Sequence, residues 1–245
     1  MKSVLITGAN KGIGLETARQ LSAKGFFVYL GSRNLENGKA AVEGLKSEGL
    51  QDMKAVQVDV TNAQSIQSAR QLIELEQNCV DVLINNAGIS GELPQSALNS
   101  DIQSFKEVFD TNFYGVIAVT QAFLPLLEKA PEPRIVNVST SVGSLSLQSD
   151  PSWPAYDYAK YPVYASSKAA MNMYTVQLAY ELRDTAFKVN AVCPGYTKTD
   201  FTGQQGGEVA TAAARIIKYA LVDGQGPSGK FFSDETNPEG GEIPW

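Results

Sequence analysis

The chain has 245 residues, 43% of them apolar, a formal net charge of −6 and no histidine. That length suits one substantial core, and the acidic balance with no basic face argues against nucleic acid as a partner. The missing histidine excludes histidine bases, histidine metal ligands and Ser-His-Asp triads. Acid–base work is left to Tyr, Lys, Asp and Glu, and no metal site is expected. No apolar run approaches a membrane span. Met1-Lys2-Ser3-Val4 enters a strand-like run at once, leaving no room for a secretory signal. Cys79 and Cys193 both read as buried thiols rather than a disulfide framework. A cytoplasmic protein is expected, with no membrane partner.

Val4-Leu5-Ile6 is a short continuous apolar run, as in a strand buried on both faces. It is followed by Gly8-Ala9-Asn10-Lys11-Gly12-Ile13-Gly14 and then by a helical pattern through Leu15, Ala18 and Leu21. Strand, glycine-rich turn and helix start together make an anion site, because glycines let the backbone approach a pyrophosphate at the helix N-terminus. The spacing is Gly-x3-Gly-x-Gly rather than the usual GxGxxG. A second strand, Phe26 to Leu30, ends in Gly31-Ser32-Arg33. An acidic residue near this point would bind a ribose 2′-hydroxyl. Arg33 and Lys11 stand there instead, two cations that suit a 2′-phosphate and favour NADP(H) over NAD(H).

A helix over 35–48, a third strand ending at Asp59-Val60 and a helix capped by Thr61 come next. A fourth strand, Val80 to Ile84, ends in Asn85-Asn86-Ala87-Gly88, and a long helix carries Phe105, Val108, Phe109, Asn112 and Val116. Ile135 to Val138 is the fifth strand, leading to Ser139-Thr140-Ser141, and Lys188 to Val192 is the sixth. Alternation of strands and helices without a composition break predicts one α/β domain, a Rossmann-type doubly wound parallel sheet with helices on both faces. Ligands in such sheets bind beyond the carboxyl ends of the strands, where every unusual motif sits.

Tyr164-Ala165-Ser166-Ser167-Lys168 heads an apolar stripe through Met171, Tyr174 or Thr175, Leu178 and Leu182, which is helix spacing. Tyr and Lys four apart share a helix face, and an ammonium beside a phenol is expected to pull the tyrosine below its ordinary pKa of about 10. Tyr156 and Lys160 show the same spacing, so spacing alone leaves two candidates.

Taken together, the turn from Thr7 to Gly14, Asp59-Val60, Asn85 to Gly88, Asn112, the Ser/Thr run, Tyr164-x3-Lys168 and Pro194-Gly195 resemble the classical short-chain dehydrogenase/reductase family along nearly the whole chain. The opening Thr-Gly-x-Asn-Lys-Gly-Ile-Gly and the Gly-Ser-Arg look most like its carbonyl-reductase-like branch. The family's spacing to Pro194 fits Tyr164, 30 residues ahead, and not Tyr156, 38 ahead. Pro162 also suggests that the helix starts only there, leaving Tyr156 to Lys160 in a loop.

The resemblance implies NADPH-dependent reduction of a ketone or aldehyde to an alcohol. In that reading Tyr164 is the general acid and Lys168 tunes it and binds the nicotinamide ribose. Asn112 holds a relay water, and a hydroxyl at 140 positions the carbonyl oxygen. Six residues on from Arg134 and three back from Gly143 both give Thr140, where the family usually has Ser; Ser139 should face the other way, with Ser141 the fallback. The resemblance further implies that Asp59 and Val60 contact adenine and that Asn86, Ala87 and Gly88 line the adenosine ribose. Pro194-Gly195, Thr197 and Thr199 meet the nicotinamide end and phosphates. The stretch near 144–162 is longer than the plain pattern and is expected to cover a helix face used elsewhere for assembly, implying a monomer. The lid near 200–208 is short, and Gly203, Gly206 and Gly207 are expected to make it mobile, with loose choice of a small-molecule carbonyl substrate. Alternatives are a dedicated 3-ketoacyl or steroid reductase, or a non-catalytic NADP(H) sensor.

Overall fold

The computed structural model describes residues 1–245. In chain order the elements are β1 (Ser3–Ile6), α1 (Gly12–Ala23), β2 (Phe27–Ser32), α2 (Leu35–Ser47), β3 (Met53–Gln57), α3 (Ala63–Glu76), β4 (Val82–Asn85) and α4 (Ile102–Phe109). They continue with α5 (Gly115–Leu127), β5 (Arg134–Val138), a one-turn α6 (Leu145–Gln148), α7 (Pro162–Glu181), β6 (Lys188–Val192), α8 (Val209–Ala220) and β7 (Lys230–Phe232). All seven strands are parallel, in the order β3-β2-β1-β4-β5-β6-β7. The doubly wound sheet expected from the sequence is present.

The apolar run of β1 has the physical cause assigned to it. Val4 and Ile6 enter the layer shared with α1, α2 and α8, while Leu5 enters that of α3, α5 and α7, and all three are fully buried. A strand with helices on both faces cannot alternate polar and apolar. The strand order reverses between β1 and β4, and a ligand crevice opens beyond their carboxyl ends at such a reversal. No helix is long and apolar enough to cross a membrane.

Several local expectations are corrected. Thr61 does not cap α3: its hydroxyl donates to Asp59 Oδ1 at 2.8 Å, and Asn62 caps the helix by accepting from the Ser65 N–H. The helix through Asn112 is interrupted by a π turn over Asp110–Tyr114. A seventh strand, Lys230–Phe232, goes beyond the six expected; three residues between Gly229 and Ser233 give too short a pattern to read. Cys79 is half-buried rather than buried, while Cys193 is buried as expected.

Candidate active site

The glycine turn lies at the sheet's reversal point. Gly8 has φ of +63°, and a Cβ there would stand 2.9 Å from Ala87 Cα, so the turn after β1 and the Asn-Asn-Ala-Gly run after β4 touch only because position 8 is glycine. A Cβ on Gly14 would meet Asn86 Nδ2 and the Gly8 carbonyl. Asn86 fastens the two loops, donating to the Thr7 and Gly8 carbonyls at 2.9 and 3.0 Å, while the Thr7 hydroxyl accepts from the Asn86 and Ala87 N–H groups. Helices α2, α3 and α4 each have a side chain accepting from their first turn, from Asn34, Asn62 and Asp101. Lys11 gives α1 no such cap. Its leading N–H groups, past half-buried Asn10 and Ile13, are thus left for an anion, and the cradle fits a dinucleotide's pyrophosphate. Arg33 is exposed just past the end of β2. Lys11 is also exposed, but its ammonium sits 2.9 Å from Asp200 Oδ2.

Asp59 and Val60 follow β3 at the same edge of the sheet; Val60 packs where a Cβ on Gly115 would otherwise stand. A Cβ on Gly88 would be 3.2 Å from Asn112 Oδ1 and 3.6 Å from Lys168 Nζ, so these three converge. The fully buried Asn112 amide accepts from the Ile89 N–H and donates to the Ile89 carbonyl and the Ser167 hydroxyl. Both of its amide protons are therefore spent on holding the loop after β4 to α7, and Oδ1 keeps one acceptor site beyond the Ile89 N–H. The π turn alters the carbonyl ladder at this residue, and such turns recur at functional sites.

Helix α7 begins at Pro162, in its first turn, as the sequence suggested. Gln95 Oε1 accepts from the N–H groups of both Val163 and Tyr164 at 3.1 Å, pinning the helix start that carries the tyrosine. Lys168 is 4% exposed and donates to the Val138 carbonyl at 2.8 Å. Burial holds its ammonium down to about 8. Tyr164 departs from expectation: burial, with a smaller electrostatic contribution from the neighbouring Cys193, pushes its phenol above the ordinary value. The cause is geometric as well, because the Lys168 ammonium stands 6.0 Å from the Tyr164 ring centre and spends a proton on Val138. Desolvation wins over the ammonium in this arrangement.

Strand alternation sorts the hydroxyls as predicted. Ser139 is buried and donates to Asn172 Oδ1 at 2.6 Å, whereas Thr140 is half-buried and accepts only from the Val142 N–H, at 3.3 Å. A Cβ on Gly143 would lie 2.9 Å from Lys168 Cβ, so the hydroxyl turn rests directly on α7. Ser141, also half-buried, begins the 3-10 turn that follows.

Thr199 Cγ2 would lie 3.5 Å from a Cβ on Gly12, bringing the lid strap next to the glycine turn. Thr197 is buried and pairs with Gly207 in a one-residue bridge, and Thr199 and Thr202 form a reciprocal cap. Gly203 and Gly206 take φ of +61° and +112° to make the turns this requires. The glycines serve tight turns, so the lid is a hydrogen-bonded strap rather than the loose loop expected. Phe201 lies with its ring centre 5.5 Å from that of Tyr164. The stretch 144–162 is also placed differently from expectation: Ser144 and Ser146 bond to the carbonyls of Pro244 and Trp245, and Leu147 packs beside Trp245. On α7, Met173 and Tyr180 remain 59% and 62% exposed.

Sequence reasoning missed the groups that hold this site. Besides Gln95 and Asn172, Arg215 on α8 donates to the Pro194 carbonyl at 2.7 Å, and Glu235 accepts from the Tyr196 N–H, flanking Gly195 on both sides. Isolated polar residues far apart in the chain give no motif; only the fold brings them together.

A parallel nucleotide-type sheet with an uncapped glycine turn at its reversal point and a half-buried Tyr164 beside the buried Lys168 beyond β5 defines a dinucleotide-dependent class of enzyme. The family pattern described as short chain dehydrogenase matches residues 2–209, and the chain belongs to that family. It is 32% identical to a (+)-neomenthol dehydrogenase of Capsicum annuum, over 93% of this chain and 94% of that one. With salutaridine reductase of Papaver bracteatum the identity is 31%, covering 95% and 94%. Among solved structures, NADPH-bound carbonyl reductase from chicken fatty liver superposes with a TM-score of 0.84 at 27% identity, covering 100% of this chain and 99% of that one. Salutaridine reductase from Papaver somniferum gives 0.83 at 28%, covering 96% and 100%.

Proposed function

We propose that the protein reduces the carbonyl group of a small molecule to an alcohol with NADP(H), the observation that carries this being the convergence of Lys168, Asn112, Gly88 and the Thr140 turn at the head of the helix that bears Tyr164. The bound cofactor supplies the hydride. Tyr164 gives its proton to the carbonyl oxygen; its raised pKa keeps the phenol loaded at neutral pH. The Thr140 hydroxyl donates to the same oxygen and fixes it. Lys168 stabilises the phenolate left behind, at the cost of its own buried charge. Asp59, Val60 and Asn86 to Gly88 line the adenosine end, and Pro194-Gly195, Thr197 and Thr199 the nicotinamide end.

Arg33 and Lys11 take the 2′-phosphate. Lys11 leaves Asp200 to do so, and a pair this exposed contributes little to hold it back. A charge-assisted bond to phosphate is worth about 1.5–3 kcal/mol, so Arg33→Asp should lower the NADPH-over-NADH preference in kcat/KM by about tenfold or more. Equal efficiencies of the two cofactors with the native protein would rule out the assignment.

Relatives named for neomenthol, isopiperitenone and salutaridine make cyclic ketones the first members of a substrate panel. NADPH oxidation with that panel tests the reaction; no turnover of any ketone or aldehyde favours a sensor, and turnover of a single 3-ketoacyl thioester or steroid a dedicated reductase. Two unpaired cysteines suit the reducing cytoplasm. A monomer rests on the family resemblance alone, since the stretch 144–162 leaves Met173 and Tyr180 of α7 exposed; a stable dimer or tetramer in light scattering would exclude it.

A further inference from the structure

Helix α7 faces β5 through polar groups. Lys168, Asn172 and Thr175 recur at helical spacing, and their partners are the Val138 carbonyl at 2.8 Å, the Ser139 hydroxyl at 2.6 Å and the Asn137 amide at 2.8 Å. Asn172 differs from the other two rungs in touching both ends of one turn. Its Oδ1 accepts from Ser139, where the hydroxyl turn begins, and its Nδ2 donates to the Gly143 carbonyl, where the turn ends, at 3.2 Å. Thr140 lies between these two anchors, and its own hydroxyl bonds only locally, to the Val142 N–H. No bond from the Thr140 side chain to α7 is present to set its place.

Asn172 is 3% exposed and Ser139 2%. A buried amide must be desolvated and then satisfied in fixed directions, whereas an apolar side chain could fill the same gap without that demand. What the amide adds is register: a donor and an acceptor on one planar group, each assigned to one end of the turn. Asp would keep the acceptor and lose the donor, and Leu would lose both.

We propose that Asn172 is a positioning residue that brackets the turn 139–143 against α7 and thereby sets where the Thr140 hydroxyl stands relative to Tyr164 and Lys168. The inference rests on the catalytic role given to Thr140 above. It is tested by a cycle: Asn172→Leu and Ser139→Ala, each alone and combined with Thr140→Val, assayed for kcat, KM and NADPH affinity by fluorescence titration, with the best ketone of the panel. Asn172→Leu alone should lower kcat about tenfold to a hundredfold, as misplacement of a reacting group does, with NADPH affinity kept within about twofold. In the Thr140→Val background the same substitution should add less than about threefold, because the group it positions is gone. Ser139→Ala, which removes one anchor, should show the same pattern more weakly and serves if Asn172→Leu does not fold.

A loss that persists undiminished in the Thr140→Val background, or that appears equally in NADPH affinity, overturns the bracket while leaving the role of Thr140 intact. Full kcat in both single variants overturns it as well. A silent Thr140→Val removes the role of Thr140 itself, and the bracket with it.

Discussion

Two Tyr–Lys pairs with the same four-residue spacing lie eight residues apart in this chain, and the fold separates them completely. Tyr156 and Lys160 sit in turns ahead of α7, with the lysine exposed, bonded to Gln148 and stacked 3.8 Å from the tyrosine ring centre. Tyr164 and Lys168 sit on the first two turns of α7, and their ammonium-to-ring distance is longer, 6.0 Å. Closeness of cation to ring therefore does not mark the reactive pair. Burial does: Lys168 is nearly inaccessible, bonded to a main-chain carbonyl and held down to about 8, beside a hydroxyl turn and a glycine-lined cleft. A solvated lysine has nothing to gain by moving a proton, whereas a buried one stabilises any anion formed next to it.

The largest effect that sharpens this contrast is expected from the lysines. Lys168→Met should lower kcat/KM for ketone reduction by about three powers of ten, close to 4 kcal/mol, while Lys160→Met should change it by less than about twofold. Similar losses in both variants would break the comparison.

The pH dependence comes next in size. Reduction should hold steady up to about pH 8 and fall beyond it as Lys168 loses its proton, and Lys168→Met should lack that limb. Stability should move the opposite way. Because burial lowers Lys168 from 10.5 to about 8, the folded state binds fewer protons than the unfolded state between those values. The cost of its buried charge is complete below about pH 8 and is relieved as pH rises through that window. Urea melts across it should show Lys168→Met losing this rise, and an unchanged slope would contradict the burial argument.

A smaller effect is expected from Gln95→Ala, which uncaps the start of α7 at Tyr164 and touches neither Tyr156 nor Lys160. Loss of a cap costs about 1 kcal/mol, so a modest fall in melting temperature with a several-fold lower kcat is expected. Unchanged kcat would mean that the tyrosine is held by other contacts.

Much of this was legible in the chain. The buried strands, the glycine turn, the start of α7 at Pro162 and the outward turn of Thr140 all follow from local rules of burial, spacing and strand alternation. What escaped depends on distance. The charge state of Tyr164 depends on burial against an ammonium whose proton is already committed to Val138, and no spacing carries that balance. The strap over 197–207 uses its glycines for left-handed turns and a one-residue bridge, and composition alone cannot tell this from looseness. Gln95, Asn172, Arg215 and Glu235 are single polar residues that meet their partners only after folding.

The central claim, that burial of Lys168 rather than spacing marks Tyr164 as the proton donor, is tested most directly by assaying Tyr164→Phe and Tyr156→Phe side by side for ketone reduction and NADPH binding. Phe keeps the ring and its packing and removes only the hydroxyl. The account predicts that Tyr164→Phe abolishes turnover with NADPH affinity preserved and that Tyr156→Phe behaves as the native protein. Full turnover in Tyr164→Phe, or loss of turnover in Tyr156→Phe alone, would contradict it.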